Sequence, residues 1–314
     1  MGSIAFEVDA GRKLVVDPIE HSAIHSRENA RYKLIRSLSG SRGVKKHGLA
    51  LLAGRRLIAE CLQNFPELAE ALVESSRPDQ KETGADQAIV PPAALNLPRH
   101  VFARELFREL DFLGAGSPLL LVRPPEPAKW SDLWPASESA AGATDRHRDN
   151  PLAGLSAILP LSDPDNLGAA LRSCAAFGVA RVILPVEAAH PYHARSLRSS
   201  AGQALRLPIV TAPPLRELLN FWRGGDAVLA KLPELVGLDM TGQELSEWNE
   251  PGGSGSAPGD AGSNTDLAVL VGEEGAGLPA EIPGRWISIA MRSDVESLNA
   301  GVALGIVLYH LRRI

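Results

Sequence analysis

Three short stretches of this chain hold residue types that could do chemistry. In "DPDNLGAALRSCAAFG", 163–178, Asn166 precedes Arg172 by six residues on a predicted helix. Two turns take a little over seven residues, which places the pair roughly on one side. In "VLVGEEGAGLP", 269–279, an apolar strand runs into Gly272-x-Glu274-Gly275-x-Gly277. Glycines crowded after a strand suit a backbone that approaches a ligand. In "ISIAMRSDVESLNAGVALGIVLYHLRR", Ser297 and Asn299 stand between a strand and an Ala- and Gly-rich helix. Each stretch also has a purely structural reading. Asp165 or Asn166 could cap one helix, and Ser297 or Asn299 the other. Arg172 could snorkel from a core helix, although a buried guanidinium needs partners.

Elements that position these residues follow from periodicity. From Gly154 onward strands alternate with helices: "GLSAILPL", "NLGAALRSCAAFG" closed by Gly178, "ARVILP", "HARSLRSSAG", "ALRLPIV", "PLRELLNFWRGG", "AVLAKL", "LAVLVG", "RWISIAM" and a final helix. This alternation predicts a mostly parallel sheet with helices on both faces, and ligands in such sheets bind beyond the C-terminal strand edge. Upstream, "ENARYKLIRSL" and "RRLIAECLQNF" read as helices, "ALLAG" and "PLLLVRP" as short buried strands. The expected organisation is an N-terminal extension over 1–27, a small α/β domain over 28–123, a Pro-, Ala- and Ser-rich linker over 124–152, and a larger α/β domain over 153–314. A flexible Gly/Ser insertion at 249–265 interrupts the last.

The chain has 314 residues and a formal net charge of −5, so nucleic-acid contact requires a local basic patch. One exists. Between Asn29 and Ala59 the charges are Arg31, Lys33, Arg36, Arg42, Lys45, Lys46, Arg55 and Arg56, with His47 among them and no acid. Such a run is either a solvated face or a phosphate-binding surface. Cys61 and Cys174 lack metal-ligand spacing and read as reduced core thiols. No signal peptide or membrane-length apolar run is apparent, which points to a soluble cytoplasmic protein without a metal.

Taken together and in this order, Asn166-x-Gly168 with Arg172, Gly272-x-Glu274-Gly275-x-Gly277-Leu278 and Ser297-Leu298-Asn299 resemble the three-motif signature of the SpoU (TrmH) family of RNA ribose 2′-O-methyltransferases, in the SPOUT superfamily. The likeness covers about 154–314, and "SSAGQALRLPIV" is similar to the family's Ser-Ala-Gly stretch. It extends more loosely to 28–123, similar to a small RNA substrate-binding domain. The resemblance implies a parallel sheet with a deep trefoil knot, an exception to ordinary topology. It implies S-adenosylmethionine lined by Gly272, Gly277, Ile289 and Leu298. It implies RNA as substrate, rRNA ahead of tRNA, held by Arg31, Lys33, Lys45, Lys46 and Arg55, and a homodimer packed through the final helices. Arg172 would activate the 2′-hydroxyl as base or as electrostatic stabiliser. Asn166 would orient Arg172 or the ribose, Glu274 would fix the Gly-rich loop, and Ser297 and Asn299 would contact cofactor or substrate.

Departures from the family pattern are Ala290 where Pro is frequent, Glu273 where a small or amide residue is common, and Ala53 where Glu is frequent. A non-catalytic RNA-binding relative is the alternative. A nicotinamide-dependent dehydrogenase fits badly, because no Gly-rich turn follows the first strand.

Overall fold

The computed structural model describes residues 23–77, 96–133, 154–223, 232–248, 266–272, 278 and 282–311. Two sheets organise them. The first contains β1 (Ala50–Ala53), β2 (Ala69–Ser75), β3 (Arg99–Phe102) and β4 (Leu119–Val122), in the order β1-β4-β2-β3. β4 runs antiparallel to β1 and β2, and β3 runs parallel to β2. Helices α1 (Ala30–Ser37), α2 (Ser41–His47), α3 (Arg55–Asn64) and α4 (Arg104–Leu110) accompany it.

The second sheet has seven strands in the order β11-β9-β10-β6-β7-β8-β5, all parallel. They are β5 (Ala128–Lys129), β6 (Leu155–Ile158), β7 (Arg181–Leu184), β8 (Ile209–Thr211), β9 (Glu234–Glu244), β10 (Leu267–Leu270) and β11 (Arg285–Ser288). Its helices are α5 (Pro164–Ala176), α6 (Ala194–Ser199), α7 (Leu215–Arg223) and α8 (Ala300–Leu311). Parallel neighbours need crossover connections, so helices cover both faces and the central strands β6, β7 and β10 are apolar on both. Alternation divides them between two cores. Ala157, Val182 and Val269 join the cluster of Leu171, Cys174, Leu304 and Leu308 from α5 and α8. Ile158, Ile183, Ala268 and Leu270 join Leu215, Leu218 and Leu219 of α7.

The same two-residue period joins the domains. Leu51, Val73, Leu119 and Leu121 pack with Ile35 and Leu106 in a core of their own. Their neighbours Ala50, Leu52, Leu72, Leu120 and Val122 belong instead to the core that includes Leu197 of α6. α6 lies on β1, so the small sheet and the large domain share apolar surface. Gly168 makes a close approach possible between α5 and α6: a Cβ there would lie 2.6 Å from the Ser196 carbonyl oxygen. Gly178, at φ +70°, closes α5 as its sequence predicts.

The expected boundaries shift where apolar anchors fall outside them. The stretch assigned to a linker from 124 begins with ordered chain: β5 pairs with β8, and Trp130 is buried edge-on to Phe221 at 5.4 Å. The stretch assigned to an extension ends in ordered chain, because Ile24 bridges to Phe102 of β3. The expected strand "AVLAKL", 227–232, and the insertion 249–265 lie outside the described residues, apart from Leu232; β9 over Glu234–Glu244 was not expected. Cys61 and Cys174 are free and buried, and burial pushes the Cys61 thiol up to about 11. Among the described residues no helix is long and apolar enough to cross a membrane, and no cluster of three metal-ligating side chains occurs.

Gly168→Ala should destabilise the protein by about 1–3 kcal/mol, because backbone blocks the new methyl, despite the better helix propensity of Ala. Gly301→Ala, whose Cβ would meet the Ala169 Cβ at 3.3 Å, should stay within about 1 kcal/mol of neutral. Denaturant midpoints of the two variants check this, and the reverse order would contradict the packing.

Candidate functional site

β6, β10 and β11 run parallel, so their C-terminal ends share one edge of the sheet. β6 leads there into α5. The cap of α5 is neither Asp165 nor Asn166 but Asp163, whose Oδ1 accepts from the backbone N–H of Asp165 at 2.9 Å and of Asn166 at 3.1 Å. Pro164 occupies the first helical position, where its missing N–H costs nothing. Capping by Asp163 releases the side chains of Asp165 and Asn166 for other partners.

Arg172 is exposed and makes no hydrogen bond or ion pair among the described residues. Its exposure agrees with a side chain that snorkels out from a core helix. Six residues advance an α-helix by about 600°, so Asn166 and Arg172 leave the axis roughly 120° apart rather than on one side. The buried stripe is Leu167, Gly168, Ala170, Leu171 and Cys174, with Asn166 half-buried at its edge.

Asn299 caps its helix and also reaches the first motif. Its Oδ1 accepts from the backbone N–H of Gly301 at 3.0 Å and of Val302 at 3.4 Å, capping α8. Its Nδ2 donates to Asn166 Oδ1 at 2.8 Å. The two helices lie side by side and parallel. Gly301 meets Ala169, Gly305 meets Ser173, and Tyr309 meets Phe177 edge-on at 5.9 Å, each pair four residues after the last. Parallel packing brings both first turns, with their positive dipole ends, to the same edge of the sheet. Ser297 is exposed beside them, and Leu298, Ile289 and Gly272 are half-buried. Glu274 and Gly277 lie outside the described residues.

The basic stretch divides into paired and free charges. Lys33 pairs with Glu28 and Arg56 with Glu60, so the acids flanking the run fold back on it. Arg31 contacts His100 Nδ1 at 3.4 Å. Arg55 is half-buried and has an interaction of its own. Lys45 and Lys46 on α2, with Arg42, are exposed and unpaired among the described residues.

Sequence reasoning missed Arg195, Ser199 and His193. Arg195 Nε donates to Asp165 Oδ2 at 2.7 Å, and its other end reaches Asp163 Oδ2 at 3.2 Å. Ser199 Oγ donates to Asp165 Oδ1 at 2.7 Å. Burial pushes the Asp165 carboxyl up, but the Ser199 hydroxyl and the Arg195 guanidinium outweigh it and hold it below its ordinary value. No sequence signal pairs α6 with α5 over this separation. An Asp followed by a first-turn proline at the start of α5 is the one signal that could have placed the cap on Asp163.

The SpoU rRNA Methylase family model matches residues 157–309. The chain is 32% identical over 288 residues to "Ribosomal RNA small subunit methyltransferase G 2" of Syntrophobacter fumaroxidans, which covers 91% of this chain and 48% of that protein. It is 34% identical over 269 residues to an "Uncharacterized tRNA/rRNA methyltransferase" of Mycobacterium sp. (strain KMS), covering 84% of this chain and 76% of that one. It thus spans about half the length of the first relative and three quarters of the second. Its fold is similar to that of the SpoU methyltransferase AviRb from Streptomyces viridochromogenes, with TM-score 0.63, 23% identity and coverage of 90% and 96% of the two chains. It is similar also to an rRNA methyltransferase from Sinorhizobium meliloti, with TM-score 0.62, 19% identity and coverage of 92% and 96%. A family match that begins in β6 and ends in α8, with a relative of 34% identity over most of both chains, places this chain in the SpoU rRNA methylase family.

Proposed function

We propose that the chain methylates a ribose 2′-hydroxyl of RNA, with S-adenosylmethionine as donor and ribosomal RNA ahead of transfer RNA as substrate. The observation that carries this reading is the bond from Asn299 Nδ2 to Asn166 Oδ1, which unites motifs 133 residues apart at the C-terminal sheet edge. The names of the relatives support it, as do the AdoMet-bound structures of AviRb and the S. meliloti protein.

The residues present fit the cofactor. Gly272 follows the last ladder bond of β10, from Val271 N–H to Ile158 O at 3.2 Å, so its own backbone groups leave the sheet. Ile289 and Leu298 add half-buried apolar surface. Backbone donors and acceptors beside apolar side chains suit an adenosine and a methionine chain. Gly277 and Glu274 complete the loop on the same reading. S-adenosylmethionine bound there supplies a methyl group on a positively charged sulfur.

A 2′-hydroxyl is a weak nucleophile at its own pKa and needs help to lose its proton. Arg172 gives that help as a charge. Its role on this reading is to stabilise developing negative charge on the 2′-oxygen rather than to act as base. Asn166 and Asn299 hold the ribose, and Ser297 lies at the mouth of the site. Lys45 and Lys46 engage RNA phosphates together with Arg42. Arg31, Lys33 and Arg55 contribute less, because each has a protein partner. The reading also carries a trefoil knot in the C-terminal domain and a cytoplasmic homodimer without metal. An apolar groove of about 440 Å³ between α5 and α8 suits the dimer. Val302 and Tyr309 stand 52% and 57% exposed along that face.

Transfer of radiolabelled methyl to total RNA from a strain lacking the gene tests the reaction. Arg172→Ala should lower transfer at least about 100-fold with cofactor affinity retained. No transfer to any RNA together with no cofactor binding would overturn the enzyme reading and favour the non-catalytic RNA-binding relative. In RNA binding, Lys45→Ala with Lys46→Ala should reduce the slope of log K against log salt by roughly 1.5–2 units, and Lys33→Ala should leave it nearly unchanged. Equal effects of the two would contradict the division of charges.

A further inference from the structure

We infer that His193 and Arg195 are positioning residues that tie the N-terminal domain to the Asn166–Asn299 pair; this rests on the methyltransferase reading above. His193 caps α6, its Nδ1 accepting from the backbone N–H of Arg195 at 3.2 Å. With Nδ1 an acceptor, the neutral ring carries its hydrogen on Nε2. That N–H donates to the Ser39 carbonyl at 3.0 Å, in the turn between α1 and α2. One imidazole therefore fixes the start of α6 and holds it to the domain that bears Lys45 and Lys46.

Two residues on, Arg195 spans both carboxylates of the α5 first turn. The oxygens are fully apportioned. Asp163 gives Oδ1 to the helix cap and Oδ2 to Arg195, and Asp165 gives Oδ1 to Ser199 and Oδ2 to Arg195. The turn so held contains Asn166, which Asn299 joins to α8. An unbroken chain of hydrogen bonds and covalent links thus runs from Ser39 through His193, Arg195, the two aspartates and Asn166 to Asn299.

The charges in this chain are partly exposed, with Arg195 at 42%, Asp163 at 33% and Asp165 at 34% of the side chain. Such pairs contribute little stability. A planar guanidinium held by two carboxylates fixes direction instead, which Lys cannot reproduce. Removing it should misplace Asn166 without unfolding the domain, and small misplacements of a site residue can cost up to about a hundredfold in rate.

Arg195→Met, Arg195→Lys and His193→Asn test this in the full chain. Asn keeps a capping oxygen at 193 but is too short to reach Ser39. Arg195→Met should lower kcat about ten- to a hundredfold, with KM for RNA and cofactor Kd within about threefold and Tm within a few degrees. Arg195→Lys should recover part of the loss. His193→Asn should lower kcat in the same direction with its cap retained. Hydrogen exchange reads the link without methyl transfer: segments 163–168 and 299–302 should exchange faster in both Arg195→Met and His193→Asn. Unchanged exchange in those segments, or kcat within twofold of wild type for Arg195→Met, would overturn the inference. If wild-type protein methylates no RNA, the reaction reading fails, and exchange alone decides for or against the link.

Discussion

The site depends on how one carboxamide is shared. A helix begins with N–H groups that have no partner within the helix, and an acceptor must be found for them. Asn299 Oδ1 meets that need for α8. Its orientation is then settled, because only the Nδ2 end remains to face α5. There it finds an oxygen, Asn166 Oδ1, and not a competing donor. A reversed amide would set donor against donor at the helix start and remove the acceptor that caps it. Helix start and motif contact are therefore one arrangement of a single side chain.

That arrangement needs the two helices to be close and parallel. Small residues supply closeness: Gly301 and Gly305 of α8 lie against Ala169 and Ser173 of α5, with Phe177 and Tyr309 filling the wider end. The parallel sheet supplies direction, since each helix leaves the same edge of it. The N-terminal domain is attached to this frame through strand alternation, with alternate residues of β1 and β4 and Leu72 of β2 in the larger domain's core. Packing thus supplies stability, and the partly exposed polar links between α6 and α5 supply aim.

Much of this was legible in residue order. The alternation of strands and helices after Gly154, the close approach at Gly168 and the end of α5 at Gly178 follow from local rules of period and conformation. The gathering of Asn166, Ser297 and Asn299 at one sheet edge follows from those rules once the strands are parallel. Less legible were features set by partners distant in sequence. Trp130 anchors an edge strand inside a stretch whose Pro and Ser content suggests a linker. Asp163 takes the cap from Asp165 and Asn166, which turns on which carboxylate can fold back over the first turn. Arg172 is exposed, since a position 120° from Asn166 faces away from the buried stripe. Lys33 and Arg56 are paired by acids just outside the basic run, so counting charges overstates the free ones.

A double-mutant cycle between Asn166 and Asn299 tests the central claim most directly. Methyl transfer would be measured for Asn166→Ala, Asn299→Ala and the double variant. The account predicts strongly non-additive losses, with a coupling of at least about 1 kcal/mol, because either change breaks the same contact. Losses that add within about 0.3 kcal/mol would mean the two residues act independently, and would contradict a site built on their shared hydrogen bond.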